Sequence, residues 1–296
     1  IRRAMALVSE EPQARKLLVQ KLAVRLLIDS HKESLRREAE TILEQAQADQ
    51  QGKADPELNV LKAEILIDRA TGPAVEEARA LLRQVTSDYP KYVDGWRLAA
   101  QLELGQEELG RALDIATRGL ANNDKNKDLL LLRAIAEKRL SPSVAALTTL
   151  PGLAQEYPED VGIIIEWADA YARAEHSEKA VELLEQKMNS FTGVSRRRCE
   201  IALAAALYSN QQEEKAKTMF DALITSDPND PIPVMTLAGL LRKQKRWTEV
   251  NNLVNRWRST NPKDAETATN VARILAGSGD KEALQMAEDQ LRIILN

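Results

Sequence analysis

Apolar residues recur along this chain at helical spacing, in blocks separated by short polar stretches. Within residues 203–224, Leu203 and Leu207 fall in one block, and Phe220 and Leu223 fall in the next. Spacings of three or four residues place apolar side chains on one face of an α-helix. The pattern therefore predicts amphipathic helices, arranged as pairs joined by tight turns.

The helix pairs repeat with a period of about 34 residues. The repeat is marked by alanines at Ala100, Ala134, Ala168, Ala204, Ala238 and Ala272, with gaps of 34, 34, 36, 34 and 34 residues. Further alanines or a valine follow at Ala112, Ala146, Ala180, Ala216 and Val250, and prolines follow at Pro90, Pro158, Pro228 and Pro262. We interpret the alanines as sites where two helices approach closely. The prolines end the second helix, because proline cannot continue the helical hydrogen bonds.

These offsets resemble the tetratricopeptide repeat. The best copies are Trp96-Ala99-Ala100-Ala112-Ala116, Trp167-Ala168-Tyr171-Ala180-Leu184 and Leu203-Ala204-Leu207-Ala216-Phe220-Pro228. The resemblance implies an all-α, right-handed superhelical solenoid of about eight helix-turn-helix repeats, each stacked on its neighbours. We interpret the chain as a fragment of a bacterial multi-repeat protein and expect the natural protein to continue past Asn296.

The predicted array has two parts. Residues 1–56 form a divergent helical repeat, with helices over 12–28 and 33–48, and residues 57–296 form a tandem array. The array divides into 57–90, 91–124, 125–158, 159–194, 195–228, 229–262 and 263–296. The stretch WADAYARAEHSEKA, residues 167–180, contains the residue types of an active site. The repeat instead assigns Trp167 and Tyr171 to helix packing and His176 to a turn.

Composition narrows the class of protein. Of 296 residues, 44% are hydrophobic and 29% are charged, which is typical of a soluble folded chain. The formal net charge of -4 argues against bulk nucleic-acid binding. No run of about 18 apolar residues predicts a transmembrane segment. A single cysteine excludes an intrachain disulfide and is compatible with a cytoplasmic or a periplasmic location.

Sequence motifs for catalysis are absent. The chain has no phosphate-binding or dinucleotide-binding glycine loop, no nucleophile elbow and no zinc-protease motif. Two histidines, His31 and His176, and one cysteine, Cys199, are too few for an ordinary zinc site. We interpret the histidines as turn residues and the cysteine as a packed thiol. The expected protein has no catalytic residue, no metal site and no cofactor.

The family resemblance implies a binding surface, because tetratricopeptide proteins usually bind partners in a concave groove lined by the first helix of each repeat. The family's lysine and asparagine clamp for chaperone tails is missing. Helix geometry predicts a partner-binding groove of Arg97, Gln101, Leu131, Ile135, Ile165, Asp169, Arg173, Arg198, Ile201, Tyr208, Met235, Arg242 and Arg273. The same face carries Ala172, Ala205, Ser209, Ile232 and Lys243.

An apolar floor bordered by arginines fits a protein or peptide partner, amphipathic and with acidic flanks. In the alternative reading, neighbouring first helices bury these residues against each other. Two hypotheses also stand for the run Ser195-Arg196-Arg197-Arg198. Ser195 is predicted to be the N-cap of the helix that follows. It is either a basic edge for an acidic partner or a solvated helix start that opposes the helix dipole.

The expected function is a non-catalytic scaffold or adaptor for protein partners. Two alternatives stay open: a periplasmic scaffold of a polysaccharide-export or outer-membrane assembly system, and a regulatory arm of a larger enzyme. Self-association stays open, and the scattered basic turns disfavour nucleic acid as a partner. Part of this expectation rests on fold analogy, since one fold serves many roles.

Overall fold

The computed structural model describes residues 13–28, 33–50, 54–69, 71–262 and 264–295. All regular secondary structure in these ranges is helical. By its contacts the chain forms two compact units, Ile1–Ser141 and Pro142–Asn296. His31 and Asn296 lie outside the described residues, so the predictions made for them are not addressed.

The first unit is built from helical hairpins. Its helices are α1 (Gln13–Ile28), α2 (Glu33–Asp49), α3 (Pro56–Asp68), α4 (Gly72–Asp88), α5 (Val93–Gly105), α6 (Leu109–Asn122) and α7 (Lys127–Leu140). Within it, α1 packs on α2, α3 on α4 and α5 on α6, and each hairpin also contacts the next. The core runs between them, with Val60 and Ala63 of α3 packed against Leu82 and Val85 of α4.

The second unit has the same plan. It starts with α8, made of Pro142–Val144, the π-helical turn Ala145–Thr149 and Leu150–Glu156. There follow α9 (Val161–Arg173), α10 (Ser177–Met188), α11 (Gly193–Ser209), α12 (Glu213–Ser226), α13 (Ile232–Lys243), α14 (Trp247–Thr260), α15 (Ala265–Ala276) and α16 (Lys281–Leu295). The hairpins are α9 with α10, α11 with α12, α13 with α14 and α15 with α16.

The alanines that mark the repeat are buried in both units. Ala100, Ala134, Ala204 and Ala238 are completely inaccessible to solvent, as close helix approach requires. The structure thus confirms the predicted all-α helical-repeat fold. The repeat boundaries stay predictions, and helices α7 and α8 of the predicted repeat 125–158 belong to different units.

A recurrent turn joins the two helices of a hairpin. Glu107, Glu175, Gln211 and Lys245 have φ values of 58–64°, and Gly279 has a φ of 69° at the same place in the last hairpin. In the first four of these turns the next amide donates back five residues, as from His176 N to Tyr171 O at 2.8 Å, whereas Asp280 N donates to Ser278 Oγ at 3.0 Å. The first four turns have the Schellman helix ending, which satisfies carbonyls that the helix leaves unpaired. The stretch 167–180 therefore serves as framework, and the rings of Trp167 and Tyr171 stack 5.9 Å apart.

Side-chain caps start several first helices. Asp55, Asn126, Asp160 and Asp264 each accept a hydrogen bond from an amide in the first turn of α3, α7, α9 and α15. The N-cap prediction for Ser195 is wrong. Helix α11 begins at Gly193, whose φ of 54° turns the chain into the helix two residues earlier. Within the described ranges, no helix has the length and apolarity needed to cross a bilayer.

Candidate functional site

A groove of about 410 Å³ lies in the second unit between α9, α11 and α13, the first helices of three successive hairpins. We call it the first-helix groove. Its apolar lining comes from Ile165, Ile201, Ile232 and Leu240. Ala172, Ala202 and Ala205 line it as well, and their small side chains leave the space open. Concave apolar sites with a few placed polar groups are the usual form of a binding pocket.

Two cations border this floor. Arg198 of α11 and Lys243 of α13 both line the groove and are both exposed. Neither forms an ion pair with another described residue. The acids at the groove are Glu166 and Asp169, and Asp169 Oδ2 already accepts a hydrogen bond from Arg173 Nε at 2.8 Å. Arg198 and Lys243 are therefore the charged side chains of the groove that are available to a ligand.

The structure brings together four of the predicted groove residues: Ile165, Asp169, Arg198 and Ile201. Arg173 reaches the rim through its bond to Asp169. Met235 and Arg242 belong to α13 but do not line the groove. Arg273 is exposed on α15, where its Nη1 donates to Asn270 Oδ1 at 3.2 Å.

Tyr208 lies in a different environment from the one predicted. Its ring is buried, and its hydroxyl donates to Gln244 Oε1 at 2.8 Å. The same hydroxyl accepts from Arg246 Nη1 at 2.8 Å, and Arg246 also binds Glu213 and Glu249. Burial raises the pKa of Tyr208 above its ordinary value. This side chain ties α11 to the turn before α14 and does not line the first-helix groove.

The remaining predicted residues lie in the first unit. Arg97 of α5 donates from Nε to Asp94 Oδ1 and from Nη1 to Gln101 Oε1, both at 3.1 Å. Leu131 and Ile135 are half-buried on α7. These four residues belong to a separate compact unit, so they are described apart from the groove.

The arginine run at the start of α11 divides into two roles. Arg196 Nε donates to Glu200 Oε1 at 3.0 Å, on the same helix. Arg197 binds Asp230 Oδ2 at 2.7 Å, Ser226 Oγ at 3.0 Å and the carbonyl of Leu223 at 3.0 Å. Arg197 thus fastens α11 to the end of α12. Only Arg198 of the run lines the groove. Arg197 fits neither hypothesis, because its bonds leave it neither a free basic edge nor a solvated helix start.

Sequence reasoning missed several lining residues, among them Glu166, Ala202, Thr236 and Leu240. The first three stand two positions before the packing alanines Ala168, Ala204 and Ala238. The predicted face omitted that position. A helix presents a broader stripe to a groove than the selected offsets covered, because neighbouring positions differ by about 100° around the axis.

Comparison of the sequence with family models finds no match, and no curated protein matches it. Solved structures do match. PilW, a widely conserved type IV pilus biogenesis factor, is 13% identical with a TM-score of 0.56, covering 74% of this chain and 98% of that one. A Rap protein complexed with competence and sporulation factor is 14% identical with a TM-score of 0.53, covering 96% and 88%.

A tetratricopeptide repeat protein from Parabacteroides merdae ATCC 43184 is 16% identical with a TM-score of 0.48, covering 81% of this chain and 99% of that one. PilW and the Rap protein share the fold, and at this identity they say nothing about shared partners. The hairpins, their 34-residue period and the shared fold define the class. The chain has the tetratricopeptide-repeat fold.

Proposed function

We propose that the chain is a non-catalytic protein-interaction scaffold whose first-helix groove binds an extended or helical peptide segment of a partner. The observation that carries the proposal is an open apolar floor bordered by Arg198 and Lys243, which have no ion-pair partner among the described residues. The Rap protein with a similar fold is complexed with competence and sporulation factor, so this architecture can hold a factor.

The lining residues define the chemistry of the partner. Ile165, Ile201 and Ile232 would bury the apolar side chains of the segment, and burial contributes about 25 cal/mol per Å² of apolar surface. Carboxylates flanking those side chains would pair with Arg198 and Lys243. Arginine binds a carboxylate through two parallel hydrogen bonds, which adds direction to the attraction. The expected partner segment is therefore amphipathic with acidic flanks.

The test is selection of binding peptides from a random library displayed on phage, with the purified chain as bait. Selected peptides are then titrated into the wild type and into the Arg198→Glu/Lys243→Glu variant. We expect the selected sequences to alternate apolar and acidic residues. We expect affinity to fall by about tenfold or more in the variant, since both charges now repel the ligand.

Two controls separate binding from folding. Ile232→Asp places a charge on the exposed edge of the groove floor, and Val194→Asp places the same charge on an exposed valine away from the groove. Only Ile232→Asp should weaken the peptides, and circular dichroism should show both variants folded. Selected peptides that bind the Arg198→Glu/Lys243→Glu variant as well as the wild type would refute the groove as the binding site.

A further inference from the structure

A cleft of about 930 Å³ lies in the first unit between the second helices α4 and α6, with α5 beneath. Four arginines line it, Arg79 and Arg83 on α4 and Arg111 and Arg118 on α6. We call it the arginine cleft. Its floor includes the apolar residues Leu82, Trp96, Ala99, Leu102 and Ile115, and also the carboxylate of Glu103.

One arginine of the cleft is already neutralised. Arg79 donates from Nε to Glu103 Oε1 at 2.6 Å and from Nη2 to Glu103 Oε2 at 3.0 Å, and it also binds Glu76. The Glu103 side chain is only 3% exposed. Hydrogen bonding to that carboxylate raises the pKa of Arg79 above its ordinary value. This pair is part of the framework of the cleft.

The other three arginines make only long, exposed contacts with other side chains or carbonyl groups. Arg83 Nε reaches only the carbonyl oxygen of Arg79, at 3.4 Å. Arg118 stands 3.5 Å from Asp114 on its own helix, and its guanidinium lies 5.5 Å from the centre of the Trp96 ring. Arg111 Nε is 4.0 Å from Glu108 Oε2. Exposed contacts of this length contribute little, at most about 1 kcal/mol.

The second unit contains the same cleft with different charges. Counted from Pro90 and Pro228, the four arginines correspond to Lys217, Asp221, Glu249 and Arg256, in chain order. These residues line the space between α12 and α14, and we call it the paired cleft. Arg256 Nη2 binds Asp221 Oδ1 at 2.8 Å across it, and Lys217 Nζ lies 3.9 Å from Glu249 Oε2.

These pairs bridge the two walls of the paired cleft. Two cavities of about 250 and 360 Å³ remain there, and Asp221 and Arg256 line both. In the arginine cleft, Arg83 and Arg118 occupy the positions of Asp221 and Arg256. Two cations in those positions cannot form the ion pair that Asp221 and Arg256 form across the paired cleft. Smaller residues deepen the arginine cleft, since Ala99 and Gly110 stand where the second unit has Leu237 and Thr248.

We propose that the arginine cleft binds an acidic amphipathic helix of a partner protein. Apolar side chains of that helix rest on Leu82, Leu102 and Ile115, and its carboxylates pair with Arg83 and Arg118. A helix laid into an apolar groove uses residues spaced by one turn. The positive walls and the apolar floor between two helices match that form. The site is separate from the first-helix groove and would stand if the groove bound nothing.

The lining favours a protein segment over a nucleic acid. Glu76 and Asp114 stand on the cleft walls and would repel a phosphate backbone, which carries charge at every nucleotide. The chain as a whole is acidic, with a formal net charge of -4. A protein segment differs because it can place carboxylates beside Arg83 and Arg118 and apolar side chains elsewhere.

The test uses a fluorescein-labelled peptide of about fifteen residues, or four helical turns, with leucines on one face and glutamates on the others. Fluorescence anisotropy reports its binding to the full chain. The cleft variant is Arg83→Glu/Arg118→Glu. The matched control is Arg198→Glu/Lys243→Glu, which makes the same change of charge in the first-helix groove. A lysine-for-glutamate version of the peptide controls for the leucines alone.

We expect the Arg198→Glu/Lys243→Glu variant, whose first-helix groove no longer attracts acidic peptides, to keep saturable binding. That binding should fall by about tenfold or more when Arg83→Glu/Arg118→Glu is added to it. The charge-neutral change Arg83→Gln/Arg118→Gln in the same background should weaken binding as well and guards against misfolding. The proposal is overturned by absent binding to the groove variant, or by equal binding after the cleft substitutions are added to it. Displacement by a short DNA strand at the peptide's own concentration would overturn the choice of a protein partner.

Discussion

The arginine cleft and the paired cleft occupy the same place in two copies of one repeat, yet their surfaces differ in charge. The framework is shared, because Ala100 and Ala238 are both buried and Pro90 and Pro228 follow the second helices at the same point. Asp221 and Arg256 form an ion pair across one cleft, whereas Arg83 and Arg118 cannot pair across the other. The comparison shows that the residues which build the hairpin are shared between the copies, whereas the exposed residues of the second helices differ. A binding site can therefore arise on the second helices without a change in the fold.

The two copies also place their indole ring differently. In the first unit, Trp96 of α5 packs against Gly119 of α6. At the same positions the second unit has Val234 of α13 and Trp257 of α14, so the large and small residues are exchanged. Both rings are buried, and both N–H groups are satisfied, Trp96 by the carbonyl of Pro90 and Trp257 by Asp264. A single large side chain fills the space in each case.

Exchanging this pair tests the equivalence of the copies and should give the largest effect. Trp96→Val leaves a cavity and should lower the free energy of unfolding by about 4 kcal/mol. A side chain at Gly119 alone would clash, because its Cβ would lie 3.0 Å from Cβ and Cγ of Trp96. The double variant Trp96→Val/Gly119→Trp places both residues as in the second unit and should recover part of the loss in urea denaturation followed by circular dichroism. Recovery is partial because Leu129 Cδ1 would lie 3.1 Å from the new Cβ, where the second unit has Thr267. A double variant as unstable as the sum of its singles would show that the copies are not interchangeable.

The buried ion pair of the arginine cleft should give the next largest effect. Arg79→Met leaves Glu103 buried without its cation, and we expect a loss of about 3 kcal/mol in the free energy of unfolding. The second unit has Leu241 at the position of Glu103. Arg79→Met/Glu103→Leu should therefore restore most of the stability in the same denaturation assay. If the single variant is as stable as wild type, the pair does not hold the cleft wall.

The ion pair across the paired cleft should give the smallest effect. Asp221 and Arg256 are both more than half exposed, so Asp221→Arg should cost only about 0.5 kcal/mol in the free energy of unfolding. Asp221→Asn serves as the control without added repulsion. A loss of several kcal/mol, read from the shift in the urea midpoint, would mean that the pair is part of the core of the unit.

The fold could be predicted from the sequence, but only part of the candidate sites could. Alanine spacing predicts the hairpins because close helix approach tolerates only a small side chain, and Ala204 and Ala238 are buried as that argument requires. Ion pairs between helices escape such reasoning. Arg197 looks free in the sequence, yet it binds Asp230 of the following loop at 2.7 Å. The periodic pattern places a residue on a face without saying which distant partner it meets.

The arginine cleft likewise could not be predicted from periodicity, because it joins residues that are distant in the sequence. Arg83 and Arg118 belong to different helices and are far apart in the sequence, so their common cleft emerges only from the packing of α4 against α5 and of α5 against α6. Once the repeat register is known, however, the comparison with Asp221 and Arg256 can be made from sequence alone. Aligning the copies on their prolines would have exposed the substitution of like charges for opposite ones.

The measurement that tests this account most directly is the affinity of the glutamate–leucine peptide for the Arg83→Asp variant, made in the Arg198→Glu/Lys243→Glu background so that only the arginine cleft attracts the peptide. Aspartate at this position would face Arg118 as Asp221 faces Arg256, and would form an ion pair across the cleft. We expect peptide affinity to fall by about tenfold or more, with the fold intact by circular dichroism and stability equal to that of the background or up to about 1 kcal/mol higher. Unchanged affinity on adding Arg83→Asp would contradict the claim that charge across the cleft decides whether it binds.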